Sequence, residues 1–319
     1  MKAIIAGLGS IGMRHARNLR SLGVQDLIGF DPTAERRSRF VEEFGTTAVS
    51  GFAEGLKSAP DLAVIASPNR FHVEQAMLCA EAGCHLFVEK PLGTTLKGID
   101  GLKRVVSEKG LFAHVGSNFK FHPALLKMQE LIQSGALGRI TGAQILAGQW
   151  LPGWHPWEDY RKVYSARSDL GGGIVFDTHE FDYLTWLLGP AEQISGFTTN
   201  SGALEIDTED VAAACLVFSS GVIATIQVDY IQRAYRRRYH ISGDSGTIEW
   251  DFAKGLLDFY SIESDETVTF DVSEEVNEMY LRQMEHVLEG TRTDIAPMTS
   301  LDQAAHVLDL QIRLRKNRV

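Results

Sequence analysis

Two side chains in this sequence have the types and settings to move a proton at a hydroxyl group. Lys90 sits in Glu89-Lys90-Pro91 behind a short apolar run, and His179 follows Gly171-Gly172-Gly173 and Asp177, with Asp182 close behind. Imidazole titrates near neutral pH and suits general acid–base work, while a fixed ammonium steadies a developing alkoxide. On a helix Asp182 shares a face with His179 and can orient its ring, which leaves Phe181, Leu184 and Leu188 for the core. Plainer readings stand beside these: Lys90 as a surface charge, His179 as a satisfied ring at a helix start. Proton transfer alone oxidises nothing, so the pair makes sense only with a hydride carrier, which no side chain can be.

The sequence carries the loop that such a carrier needs. Gly7-Leu8-Gly9-Ser10-Ile11-Gly12 follows the apolar run Lys2–Ala6 and opens a helical pattern, the context that the G-x-G-x-x-G fingerprint requires. Gly7 permits the tight turn, Gly9 admits a pyrophosphate to the backbone, and Gly12 lets helix and strand pack closely. The helix start then turns free N–H groups and its positive dipole end toward the phosphates. A purely structural glycine loop is the alternative. The next run closes at Asp31, placed to accept from a ribose 2′-hydroxyl and to repel a 2′-phosphate, so the expected cofactor is NAD, with NADP second. Arg36 and Arg37 follow closely, either to soften that preference or as a helix face in water. Two further run ends carry polar clusters where ligands bind in such sheets: Ser67-Pro68-Asn69 with His72, and Glu89-Lys90.

The elements that must position these groups fall into two patterns. Up to about residue 120, apolar runs (2–6, 27–31, 61–66, 85–88 and 112–116) alternate with helical stretches (12–22, 33–44, 72–82 and 96–109). Such alternation predicts a doubly wound parallel sheet with helices on both faces, a Rossmann domain over 1–120. Beyond it a helix (123–133), a strand (139–149), a Trp-rich loop and a helix (179–188) precede consecutive strands from 193 to 271, including a hairpin turning at Gly243-Asp244-Ser245-Gly246. Two helices (274–289 and 300–315) close the chain. Strands without intervening helices predict a large, mostly antiparallel open sheet in a second domain, 121–319, whose last helix can pack back on the first.

Read together, GLGSIGMRH (7–15), SPN with its histidine (67–72), EKP (89–91) and GGG…D…H…D (171–182) resemble the glucose–fructose oxidoreductase/inositol dehydrogenase (Gfo/Idh/MocA) family. The segment VGSNFKFHPAL (115–125) resembles that family's domain junction, and Asn118 within it joins the expected cofactor set. The resemblance spans nearly the whole chain. It implies an NAD(P)-dependent dehydrogenase acting on a secondary alcohol of a sugar, inositol or nucleotide-sugar, assembled as a homodimer or homotetramer through the open sheet. It also implies that Lys90 binds the reacting hydroxyl and that His179 is the acid–base group accompanied by Asp182. Departures from the pattern are Asp177, which lies nearer to His179 than the family's acid does, Lys120 where an Arg is common, and Ser117 where an aromatic is expected.

The loop from 148 to 167, with Trp150, Trp154, His155, Trp157, Tyr160, Arg161 and Tyr164, reads equally as a sugar-binding wall or as packing. Trp157, Tyr160 and Arg161 are its substrate candidates, with Tyr230 and Arg233 as further ones. The run Arg233, Arg236, Arg237, Arg238 is either a solvated strand face or a seat for an anionic group. Over 319 residues the net charge of −10 speaks against a nucleic-acid partner. Nothing reaches the ~20 apolar residues needed to span a bilayer. Three cysteines without metal-like spacing, with Cys79 and Cys84 as buried thiols, predict a reducing, cytoplasmic setting and no metal. Two rival functions remain: an NAD-binding sensor with no turnover, or an NAD-dependent glycosidase that oxidises transiently.

Overall fold

Short apolar runs at the start of the chain become strands that are buried on both faces. The computed structural model describes residues 1–154 and 156–319, so His155 of the aromatic loop lies outside the described residues. The chain divides into two units, Met1–Asn118 with Met279–Leu308, and Phe119–Glu278 with Asp309–Val319.

In the first unit the order is β1 (Lys2–Ala6), α1 (Ser10–Ser21), β2 (Asp26–Phe30), α2 (Ala34–Phe44), β3 (Ala48–Val49), α3 (Phe52–Leu56), β4 (Leu62–Ile65), α4 (His72–Glu81), β5 (His85–Val88), α5 (Ile99–Glu108) and β6 (Ala113–Val115). The strands form a six-stranded parallel sheet ordered β3-β2-β1-β4-β5-β6, a doubly wound sheet with its switch point between β1 and β4. Ile4, Ile5, Val64 and Phe87 are fully buried, which is why these strands show no polar alternation. Cys79 and Cys84 are buried in and just after α4. The helix expected from residue 96 starts only at Ile99, because Gly98 takes a left-handed conformation (φ +87°) that no helix interior tolerates.

The second unit runs through α6 (Pro123–Gln133), β7 (Ile140–Gly148), α7 (Ile174–Asp177), α8 (Glu180–Leu188), β8 (Ala191–Thr199), β9 (Val211–Phe218), β10 (Ile223–Asp229), β11 (Arg236–Gly243), β12 (Gly246–Asp251), β13 (Leu256–Ser261) and β14 (Glu266–Asp271). Eight strands are ordered β14-β13-β12-β11-β7-β10-β9-β8; β7 and β10 run parallel and every other neighbouring pair is antiparallel. In β9, Ala212, Ala214, Leu216 and Phe218 are buried, while Ala213 and Cys215 between them are exposed. The sheet is therefore covered on one face only.

The chain closes with α9 (Val276–Gly290) and α10 (Leu301–Arg315), and the boundary between the units passes through both. Met284, Val287 and Leu288 of α9 join Leu19, Leu27, Val64, Phe87 and Phe112 in the core of the first unit.

Candidate active site

The glycine loop has the shape that its three glycines predict. Gly7 turns with φ +93°, and a Cβ there would lie 2.5 Å from the carbonyl oxygen of Ala66 and 2.6 Å from the nitrogen of Ser67. A Cβ on Gly12 would overlap the carbonyl oxygen of Gly7, so α1 can lie this close to the loop only with glycine at that point. Gly9 differs, because an added Cβ there meets no heavy atom within 4 Å. That open space lies at the start of α1, which has no side-chain cap and no acidic residue in its first turn. Ser10 is exposed and Ile11 half-buried there. Uncapped N–H groups at a helix start are an anion seat, and the space above Gly9 fits a pyrophosphate.

Asp31 directly follows β2 and is almost completely buried. Its Oδ2 accepts from the Leu8 amide (2.9 Å) and its Oδ1 from the Thr33 amide (2.9 Å), so the acid also fixes the glycine loop. A carboxylate offers about four lone-pair sites, which leaves room for a ribose hydroxyl. The two arginines behind it separate clearly. Arg37 donates to the carbonyls of Asp31 and Pro32 (both 2.8 Å), whereas half-exposed Arg36 lies 3.5 Å from Asp31 Oδ2. Loop, helix start and acid together fit NAD.

The neighbouring strand ends depart from expectation. His72 is fully enclosed, its ring nitrogens 2.7 Å from the carbonyl of Ser67 and 2.8 Å from that of Pro91, and burial holds its pKa below the usual imidazole range. It braces the two loops from behind, a correction to its reading as a cofactor contact. Ser67 turns its hydroxyl to Gln75 Oε1 (2.7 Å), with Pro68 and buried Asn69 following. Asn118 donates from Nδ2 to Met279 Sδ (3.3 Å). Glu89 meets His15 Nε2 at 2.6 Å and accepts the Lys90 amide at 3.1 Å. Burial pushes its carboxyl up, but the hydrogen bond and charge of His15, with Lys90, hold it below the usual range. Gly116 leaves the room, since a Cβ there would lie 2.8 Å from Glu89 Oε2. Glu89 thus fixes the backbone from which half-buried Lys90 projects, ahead of a cis bond to Pro91.

In the second unit His179 caps α8, and its ring lies 4.9 Å from that of Phe119. Both flanking acids reach side chains from other segments of the second unit. Asp182 meets Lys120 Nζ at 2.8 Å, and that lysine is almost wholly buried. Burial raises the Asp182 pKa, against the pull of Lys120. Asp177 Oδ2 accepts from the Tyr230 hydroxyl at 2.5 Å. Tyr230 is fully buried against Trp154, so its reading as a substrate contact is corrected too. Arg161 is held at the surface by Asp159 (2.8 Å) and Glu205 (2.7 Å), and the Tyr160 hydroxyl accepts from the Glu205 amide. An anionic substrate group would have to displace those carboxylates from Arg161. Trp157 is 74% exposed, and Arg233 stacks 3.4 Å over Trp150. The arginine run is not uniformly solvated: Arg238 pairs with Asp251, while Arg237 turns inward to Glu180, an acid that the sequence reading did not single out.

Fold and loop define the class, an NAD-binding Rossmann oxidoreductase. Residues 1–117 match the oxidoreductase family with an NAD-binding Rossmann fold, and residues 125–249 match the GFO/IDH/MocA C-terminal domain. The chain belongs to the glucose–fructose oxidoreductase/inositol dehydrogenase family. It is 25% identical to a myo-inositol 2-dehydrogenase of Thermotoga maritima, over 99% of this chain and 96% of that one. It is 26% identical to a UDP-N-acetylglucosamine 3-dehydrogenase of Acidithiobacillus ferrooxidans, over 82% and 77%. Among solved structures, a levoglucosan dehydrogenase in complex with NADH and levoglucosan shares the fold with a TM-score of 0.87 at 17% identity, over 98% and 96% of the two chains. Among the described residues no helix is long and apolar enough to cross a membrane.

Proposed function

We propose that this oxidoreductase interconverts a secondary alcohol and a ketone on a sugar, inositol or nucleotide-sugar, with NAD preferred to NADP. The observation that carries this reading is the open, uncapped helix start above Gly9 together with Asp31 directly after β2. The relatives' names supply the substrate class: one acts on myo-inositol and another on UDP-N-acetylglucosamine. When bound, NAD supplies the hydride acceptor. His179 takes the hydroxyl proton, a role worth about 10²–10⁴-fold. The Lys90 ammonium steadies the same oxygen as it gains charge, from a backbone that Glu89 and His15 hold still. Trp157 and Tyr160 offer aromatic faces for a sugar ring. Assembly into a homodimer or homotetramer belongs to the same reading, and the uncovered sheet face that carries exposed Phe197 and Ile223 supports it.

Calorimetric titration with NAD, NADH, NADP and NADPH, then reduced-nicotinamide absorbance across a panel of sugars, inositols and nucleotide-sugars, tests the reading. Lys90→Ala and His179→Ala are expected to abolish turnover and leave NAD binding intact. Near wild-type rates in either variant would remove that residue from the mechanism. Binding without any turnover would favour a sensor or a glycosidase, and no binding would refute the cofactor assignment.

A further inference from the structure

We propose that Glu180 and Arg237 are positioning residues for His179, holding both its backbone and the ring packed against it. The proposal rests on the reading of His179 as the acid–base group.

Glu180 is the first residue of α8 and is completely buried. Its Oε1 accepts from Arg237 Nε (3.0 Å), the Tyr183 hydroxyl (2.6 Å) and the Tyr239 hydroxyl (3.1 Å). Its Oε2 accepts from the His179 amide (2.8 Å) and the Thr178 hydroxyl. With about four lone-pair sites per carboxylate, this one has no capacity left for a ligand. Its donors instead include both residues that lead the chain into α8. Burial pushes the Glu180 carboxyl up, but Arg237, Thr178 and Tyr183 hold it below the usual range, so the network is ionic. The start of α8 also favours a negative charge there.

Arg237 reaches the histidine by a second route. Its guanidinium lies 4.1 Å over the ring of Phe119, and that ring packs 4.9 Å from the ring of His179. One ion pair therefore sets the peptide of His179 through Glu180 and the wall of its imidazole through Phe119. Buried ion pairs are commonly replaceable by apolar side chains without loss of stability, so stability alone does not explain so complete a network beside this residue.

The test compares wild type, Glu180→Gln, Arg237→Lys and the double variant Glu180→Leu/Arg237→Met. Each is measured for Tm, for NAD affinity by calorimetry, and for oxidation of whichever of myo-inositol, levoglucosan and UDP-N-acetylglucosamine the wild type turns over. The double variant leaves the Tyr183, Tyr239 and Thr178 hydroxyls without their acceptor and is expected to lower Tm, whereas Glu180→Gln keeps an acceptor there and should stay closer to the wild-type Tm. In both, kcat is expected to fall by about 10²-fold, the scale of a misplacement of about 1 Å. NAD affinity should stay within about twofold, as expected when only the chemical step suffers. A substrate-free readout accompanies these: the histidine ring carbon resonances, in which His179 is expected to shift in Glu180→Gln while the histidines of the first unit do not. A double variant with wild-type kcat, or an unmoved His179 resonance in every variant, overturns the proposal. Wild-type turnover in His179→Ala would refute the acid–base assignment alone and leave the resonance to judge the brace.

Discussion

Two glycines of one fingerprint should fail in opposite ways when each becomes alanine. In Gly12→Ala the new methyl overlaps the Gly7 carbonyl oxygen and comes within 3.0 Å of its carbon and 3.5 Å of Ile5 Cγ2. The loop cannot retreat, because the Gly7 amide donates to Phe30 at 2.8 Å, and α1 cannot lift without exposing Met13, Ala16 and Leu19. Overpacking of this kind costs about 1–3 kcal/mol. In a unit of about 150 residues each kcal/mol lowers Tm by about 2–4 °C, so a loss of about 2–12 °C is expected. In Gly9→Ala the methyl enters empty space and Tm should not change. That same space is the seat proposed for the pyrophosphate, and a displaced phosphate loses at least one hydrogen bond to a charged group, about 1.5–3 kcal/mol. NAD affinity should then fall by about 10–100-fold. Scanning fluorimetry and calorimetric NAD titration on the two variants decide the matter. A Gly9→Ala protein that binds NAD as the wild type does would refute the phosphate seat, and a Gly12→Ala protein with unchanged Tm would refute the packing argument.

Glu89→Gln should lower Tm at neutral pH. The native carboxyl is held below its ordinary range, so its stabilisation is complete above about pH 5 and disappears as pH falls through the folded pKa; the Tm gap should close toward pH 3, and a gap independent of pH would contradict this. Lys120→Met leaves Asp182 buried without its cation and should cost about 3–5 kcal/mol at pH 7. Because burial raises the Asp182 pKa, that loss should shrink near pH 4 as the acid takes up a proton, which urea titrations at the two pH values measure. Arg36→Ala should weaken NADP several-fold, the scale of one exposed charge contact, and leave NAD nearly unchanged; equal losses in calorimetry would remove Arg36 from cofactor selection.

The first unit was legible almost strand by strand, since buried parallel strands leave uninterrupted apolar runs and the glycine loop names its own place. β3 escaped because two residues carry no period. In the second unit the hairpin at Asp244-Ser245 follows from its glycines. The partners of the acids did not follow from sequence. Helical spacing set Asp182 beside His179, yet spacing says nothing about Lys120 arriving from a distant segment. Tyr230 and His72 have polar tips that suit a pocket, and both are spent inside the scaffold. The inward turn of Arg237 could have been found. That arginine stands two residues before Tyr239, a buried position, and period-2 alternation points both side chains the same way.

The return of α9 into the first unit has a consequence for the order in which the protein is made. Phe112 is synthesised early, but it packs on Gly290 so closely that no Cβ would fit there, and Met284, Val287 and Leu288 complete the same core. The ribosome must therefore add the whole sheet of the second unit before the first can close. At about 5–20 residues per second, that delay is on the order of ten to thirty seconds. For that interval the nascent dinucleotide-binding sheet carries an open apolar seam. A fragment ending near Asn118 would carry it permanently, and is expected to aggregate unless residues 279–308 are supplied with it.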